Sequence, residues 1–306
     1  MITPTIRHSA EVAKALKAGE SLVALESTII THGMPSPQNV EVAREVEQTV
    51  RDQGAVPATI AVLDGELHIG LDDEQLEMLG AAKDVMKLSR ADMAFAMATG
   101  KTGSTTVSAT MIAARMAEIA VFATGGTGGV HPGAETSFDI SADLTELART
   151  PVIVVAAGPK AILDVAKTLE VLETQGVPVI GYQNKVLPAF WSRQGDHDAP
   201  LVVDNPKDIA ATHLMRAELG LEGGMLVANP VPEVDDIPQS EMRSFIDRAN
   251  KEAAERGVSG KALTPWLLAR IFELTDGASL KTNISLVKNN ARLAAEIALA
   301  CHRLKS

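Results

Sequence analysis

Cysteine is almost missing from this chain: Cys301 is the single one in 306 residues. No internal disulfide can form, and the composition fits a reducing compartment, so a cytoplasmic location is expected. Aromatic residues make up only 3%, and 28 basic residues face 39 acidic ones, for a formal net charge of −11. Without a basic stripe or stacking side chains, nucleic-acid binding through phosphate neutralisation and base stacking is disfavoured. A local pocket in an acidic protein still accepts a small anion, so a phosphorylated substrate stays open. No apolar run approaches the length of a membrane span, and the N-terminus lacks the charged-then-apolar layout of an export signal; no membrane association is expected. Asn283-Ile284-Ser285 matches a glycosylation sequon, read as chance without an export signal. Internal repeats and low-complexity linkers are absent too.

What is present is apolar: 46% of the residues are hydrophobic, enough for a large core. Short apolar runs alternate with amphipathic patterns. The runs predict strands at Leu22–Ser27, Thr59–Leu63, Met93–Ala98, Ala120–Thr124, Val152–Ala157, Pro178–Tyr182 and Met225–Ala228. The amphipathic stretches predict helices over Pro37–Gln53, Thr106–Glu118, Lys160–Gln175, Ile209–Leu219, Glu241–Arg256 and Asn283–Arg303. Asp64-Gly65 between apolar pairs predicts a hairpin within Ala58–Gly70. The expected fold is three-layer α/β/α with a mostly parallel, mixed central sheet. Val231–Gln239 is the most linker-like segment. The helices after it read as packing elements of the same unit, so one domain is expected over residues 1–306.

In open α/β sheets ligands bind beyond the carboxyl ends of the strands. Those positions here hold Glu26-Ser27-Thr28, residues 101–106, the loop from Thr124 to His131, and Gly158-Pro159-Lys160. Lysine is costly to bury, and one held at a desolvated strand end tends to lose its proton and become a nucleophilic amine. Lys160 is a candidate for imine chemistry with a carbonyl, including the aldehyde of an opened sugar; the alternative is a solvated lysine in a first helical turn. A partly desolvated glutamate can donate a proton near neutrality, which makes Glu26 a candidate acid or else a strand-end cap. Gly100-Lys101-Thr102 is no P-loop, because Phe95 stands where the first glycine is needed. Gly125–Gly129 lacks the dinucleotide spacing and reads as a loop able to wrap a phosphate or sugar, or as a tight connection. Glu135, Asp139 and Asp143, spaced at four, would stack on one face of a helix, inviting Mg²⁺ or Mn²⁺ or forming a solvated acidic helix start. Ser141 is a candidate cap for a helix beginning near Ala142. Lys87 is a candidate anion ligand or a surface charge, and Asn283 a pocket residue or a helix N-cap.

Taken together, residues 24–35, the Thr124–Asp143 stretch, Ala157–Asp164, Gly181-Tyr182-Gln183, Val227–Pro230, Thr264–Leu268 and Ser279–Ile284 resemble the pseudouridine-5′-phosphate glycosidase family, also called pseudouridylate synthase or indigoidine synthase A-like. The resemblance runs from about Leu25 to Ile297. It implies a lyase that reversibly cleaves pseudouridine 5′-phosphate to uracil and ribose 5-phosphate, dependent on Mn²⁺ (or Mg²⁺), and a homotrimer. Residue by residue, it implies that Lys160 is the Schiff-base lysine, Glu26 the proton donor and Asp139 the metal ligand. Lys87, Val107, Ser141, Ala142 and Asp143 fall on substrate-contact positions, with His131, Thr124 and Asn283 as further pocket members. Pro159, Thr127 and Lys101-Thr102-Gly103-Ser104 depart from the residues usual in the family. Two rivals are a sugar or nucleoside kinase, which would need an ATP site, and a non-catalytic sugar-phosphate-binding protein, which would need neither Lys160 nor a metal.

Overall fold

The computed structural model describes residues 3–258 and 260–305; Ser259 and the extreme ends of the 1–306 span lie outside the described residues. The strands are β1 (Ile6–His8), β2 (Leu22–Leu25), β3 (Val56–Leu63), β4 (Glu66–Ile69), β5 (Met86–Leu88), β6 (Gly103–Thr105), β7 (Val121–Ala123), β8 (Ile153–Ala156), β9 (Val179–Tyr182), β10 (Leu201–Val203) and β11 (Met225–Ala228). The main helices are α1 (Ala10–Ala18), α2 (Gln38–Asp52), α3 (Asp73–Ala81), α4 (Arg90–Ala98), α5 (Val107–Met116), α6 (Ala134–Ser137), α7 (Ala142–Leu147), α8 (Val165–Thr174), α9 (Pro206–Glu218), α10 (Gln239–Glu255), α11 (Leu263–Leu274) and α12 (Ala278–Lys305).

The strands form one sheet in the order β1-β4-β3-β2-β7-β8-β11-β9-β10, with β6 and β5 branching from β3. Pairing is parallel except where β3 meets β4 and β6; the β3–β4 hairpin turns at Asp64-Gly65, both at positive φ. Alternate residues of each strand face opposite layers. Val23, Leu25, Ile153, Val155 and Val227 join a cluster with α2, α9, α10, α11 and α12. Leu22, Ala24, Val154, Ala156 and Ala228 join another with α1, α4, α5, α7 and α8. A strand apolar on both faces is what a central parallel strand requires, and it explains the continuous runs in the sequence. The helices beyond Val231 share the first cluster with the sheet.

Two expectations fail here. Met93–Ala98 is not a strand but the last six residues of α4: Met93 and Ala96 are buried while Phe95 is 58% exposed, a helical spacing. The carboxylate of Asp92 accepts both the backbone N–H and the hydroxyl of Ser89, which opens the helix. The helix expected from Lys160 begins only at Val165, where the side chain of Asp164 accepts the N–H of Lys167; residues 160–164 form a turn.

Candidate active site

β2, β7 and β8 are adjacent and parallel. From β2 the sheet extends toward β3, and from β7 toward β8. The β2–β7 gap is therefore the point where the strand order reverses, the expected place for a ligand crevice. Glu26 follows β2, Thr124 follows β7, and Gly158-Pro159-Lys160 follows β8. A cleft of about 320 Å³ opens above these ends. It is lined by Glu26, Lys87, Val107, His131, Ser141, Ala142, Asp143, Lys160 and Asn283, nine of the residues singled out in the sequence. Thr124 stands just beneath, bonded to Glu26. Asp139 does not line the cleft.

Glu26 is held from both sides. Thr28 donates its hydroxyl to one carboxylate oxygen and Thr124 to the other. The intervening Ser27 is buried and locked: its hydroxyl donates to the carbonyl of Ile60 at 2.6 Å and accepts the N–H of Thr105 at 2.9 Å. With Ser27 turned into the sheet, the neighbouring Glu26 faces the cleft.

Lys160 is fixed through its main chain. Its N–H donates to the carbonyl of Thr127 at 3.1 Å, and the N–H of Thr127 donates to Gly158 at 3.2 Å, so the glycine loop and the lysine turn brace each other. Gly158 has φ +79°, and an added Cβ would lie 3.0 Å from the carbonyl of Pro188, so glycine is required. Among the described residues the Nζ of Lys160 makes no hydrogen bond or ion pair, which leaves the amine for a ligand.

His131 is half-buried and its Nδ1 is enclosed without a hydrogen-bond partner. Burial holds it below the ordinary histidine value; Lys160 and Lys87 push the same way, against Asp139. His32 is lowered by burial and then by the charge of Lys87. Burial and the neighbouring lysines thus favour the neutral form of both imidazoles.

The carboxylates do not stack. Phe138, at φ 56°, ends the single turn of α6, and α7 starts afresh at Ala142. Glu135 pairs outward with Lys167. Asp143 is buried, and its two oxygens accept the N–H groups of Ser108 and Gly128. Ser141 does cap α7, accepting the N–H of Asp143. Asn283 lies inside α12 rather than at its start, so it is no N-cap. Among the described residues no three His, Cys, Asp or Glu side chains gather as a metal cage. Asp139 is half-buried, and its carboxylate makes no hydrogen bond among the described residues. It fits a hydrated hard cation held through one carboxylate, and no fuller ligand set.

Sequence reasoning passed over His32, Ser89, Phe190 and Leu268, which also line the cleft. His32 lay in a quoted motif without a role. Leu268 likewise lay in a matching stretch without a role, and Phe190 carried no signal; the fold brings both to the cleft. Gly100-Lys101-Thr102 lies away from it, in the turn from α4 to β6.

The model of the indigoidine synthase A-like proteins matches residues 11–300. A pseudouridine-5′-phosphate glycosidase of Roseobacter denitrificans is 65% identical over 295 residues, covering 96% of this chain and 95% of that protein. One of Mesorhizobium japonicum is 63% identical over 297 residues, 97% of each. Among solved structures, the prealnumycin C-glycosynthase AlnA, in complex with ribulose 5-phosphate, superposes with a TM-score of 0.91 at 35% identity over 99% of both chains. An indigoidine synthase A-like protein from Thermotoga maritima superposes with a TM-score of 0.89 at 34% identity, over 99% of this chain and 97% of that one. The chain belongs to the indigoidine synthase A-like family.

Proposed function

We propose that this chain reversibly cleaves the C–C glycosidic bond of pseudouridine 5′-phosphate, giving uracil and ribose 5-phosphate, the activity for which its relatives are named. The observation that carries the reading is the pairing of Lys160, an amine without a counter-ion among the described residues, with the doubly braced carboxylate of Glu26 in one cleft. A bond between C1′ and uracil C5 offers no oxygen or nitrogen leaving group to protonate, so the two-carboxylate design of ordinary glycosidases does not serve. An amine does. Lys160 adds at C1′ as the C1′–O4′ bond breaks; Glu26 passes a proton to O4′ and recovers one from the new secondary ammonium. Glu26 delivers a proton to uracil C5, the C1′–C5 electron pair goes to C5, and the nitrogen lone pair forms the C1′ imine. Water then hydrolyses the imine to the aldehyde of ribose 5-phosphate and frees the amine. In the synthetic direction uracil C5 attacks the same imine.

Lys87, Ser141, the main chain at Val107 and Ala142, and the glycine loop hold the sugar phosphate in this reading. Asp143 shapes that cradle, since its carboxylate is spent on backbone N–H groups. His131, Thr124 and Asn283 complete the pocket. Asp139 would hold a hydrated Mn²⁺ or Mg²⁺ beside the cleft, and such an ion would supply positive charge to offset that of the substrate phosphate. A homotrimer is what the family resemblance implies, and a cytoplasmic location is what the single cysteine suggests; among the described residues no helix is long and apolar enough to cross a membrane.

The test is a spectrophotometric assay of the purified chain with pseudouridine 5′-phosphate, with and without Mn²⁺, together with borohydride treatment in the presence of ribose 5-phosphate. Turnover and a reduced adduct on Lys160 are expected, both lost in Lys160→Ala. Turnover that survives Lys160→Ala overturns the imine route. An ATP-dependent phosphorylation of ribose or a nucleoside would restore the kinase reading.

A further inference from the structure

We infer that Asn290, oriented by Asn229, is a positioning residue for the carboxylate of Glu26 and acts through Thr124. The inference rests on the acid role proposed for Glu26. Asn290 lies on α12 and is fully buried, an unusual place for a primary amide unless both its ends are used. They are used. Its Nδ2 donates to the carbonyl of Thr124 at 2.8 Å and, more distantly, to that of Gly125 at 3.4 Å. Its Oδ1 accepts the Nδ2 of Asn229 at 3.0 Å. Asn229, also buried, follows β11, and its own N–H donates to the carbonyl of Ala156 in β8 at 2.8 Å.

The bonds therefore run from the sheet through two buried amides to the first residue of the glycine loop, and from the Thr124 hydroxyl to Glu26. The position demands a group that donates on one side and accepts on the other. An amide does both; a carboxylate only accepts, and an aliphatic side chain does neither, leaving a carbonyl and an amide buried and unpaired. The carbonyls of Thr124 and Gly125 can only accept, so the NH₂ of Asn290 faces them, and the NH₂ of Asn229 holds the Oδ1 at its other end. Thr124 is thereby pinned at its N–H by Val155 (3.0 Å) and at its carbonyl by Asn290, which fixes the backbone from which its hydroxyl reaches Glu26. Asn283, two turns earlier on α12, lines the same cleft, so one helix supplies a pocket residue and the brace behind the acid.

The test is steady-state cleavage of pseudouridine 5′-phosphate by the full chain in Asn290→Ala, Asn229→Ala, Thr124→Val, Thr124→Ser and the Asn290→Ala/Thr124→Val pair, each with a thermal melt. Asn290→Ala is expected to lower kcat by about tenfold to a hundredfold, and Asn229→Ala by less, with KM moved under about threefold. Because both residues work through Thr124, the double variant should be no more than about twofold slower than Thr124→Val alone. Thr124→Ser should recover most of the rate. Wild-type kcat in folded Asn290→Ala or Asn229→Ala, or multiplying losses in the double variant, overturns the inference. Should Asn290→Ala fail to fold, Asn229→Ala decides, since it keeps Asn290 and removes only what orients it. Glu26→Gln in the same assay separates the two claims. A near-normal rate there removes the acid role itself, whereas an inactive Glu26→Gln beside a normal Asn229→Ala removes only the brace.

Discussion

The carboxylate of Asp143 accepts the backbone N–H of Gly128 at 2.8 Å while its other oxygen takes the N–H of Ser108 at 2.9 Å. One buried side chain thus fastens the start of α5, the glycine loop and the start of α7, three walls of the cleft. Gly128 has no room for anything larger: an added Cβ would lie 2.1 Å from the Ser141 hydroxyl and 2.7 Å from an Asp143 oxygen.

Asp143→Ala therefore leaves the buried N–H of Ser108 and the half-buried N–H of Gly128 unpaired. At about 1–3 kcal/mol for each such group, a loss of roughly 2–6 kcal/mol is expected. Asp143→Asn keeps the shape and one acceptor, so it should lose less, on the order of 1–2 kcal/mol. Urea unfolding midpoints check the stability, and KM for pseudouridine 5′-phosphate should rise in both variants. An unchanged midpoint in Asp143→Ala would show that the fastening carries no weight.

Arg90 and Glu146 make a second tie behind the same wall. Glu146 is 0% exposed. It accepts Nε and Nη2 of Arg90 at 2.7 and 2.8 Å, and the hydroxyl of Thr150 as well. Arg90 opens α4, directly after Ser89, while Glu146 sits on α7, so the pair holds the Lys87–Ser89 side of the cleft to the Ser141–Asp143 side. Arg90→Ala would strand a buried carboxylate. Because half of the Arg90 side chain is exposed, water returns part of the loss, and about 1–3 kcal/mol of destabilisation is expected. Arg90→Lys should rescue only partly, since an ammonium cannot match the two-pronged contact. Chemical denaturation of the two variants decides; full rescue by lysine would reduce the pair to simple charge pairing.

Glu26 and Lys160 were legible in the sequence because each ends a run that is apolar on both faces, the signature of a central parallel strand, and strand ends are where such sheets bind ligands. The Met93–Ala98 run was not legible in the same way: six small or apolar residues look alike in a buried strand and in one side of a helix. The Ser89–Asp92 cap three residues apart carried the corrective signal. The even spacing of Glu135, Asp139 and Asp143 would stack them only in one helix, and Phe138 adopts a left-handed conformation that nothing in its side chain announces, so the three carboxylates part company. Asn290 was invisible for another reason. A polar residue on a long amphipathic helix reads as surface, and only the packing of α12 across β7 and β8 turns it inward. The brace behind Glu26 is a tertiary fact, spread over residues 26, 124, 229 and 290.

Another histidine lies away from the cleft. His213, on α9, is mostly enclosed where α9 packs along α12. Burial, followed by the charges of Lys305 and Arg216, lowers its pKa to about 4. The folded protein thus keeps this imidazole neutral where the unfolded chain, near the ordinary value of about 6.5, takes up a proton. Above pH 6.5 neither state is protonated and the residue is neutral toward folding. As the pH falls from about 6.5 toward 4, the unfolded state alone binds the proton, and stability drops by roughly 2–3 kcal/mol over that window. His32, His68 and His131 shift in the same direction, so the wild-type protein should soften toward acid more than its carboxylates alone would require. His213→Gln removes the largest of these contributions. Thermal melts at pH 7.5 and pH 5 should show a smaller difference in Tm for His213→Gln than for wild type. Equal differences would mean that the imidazole is hydrated in the folded protein, and that the α9–α12 seam is looser than its packing implies.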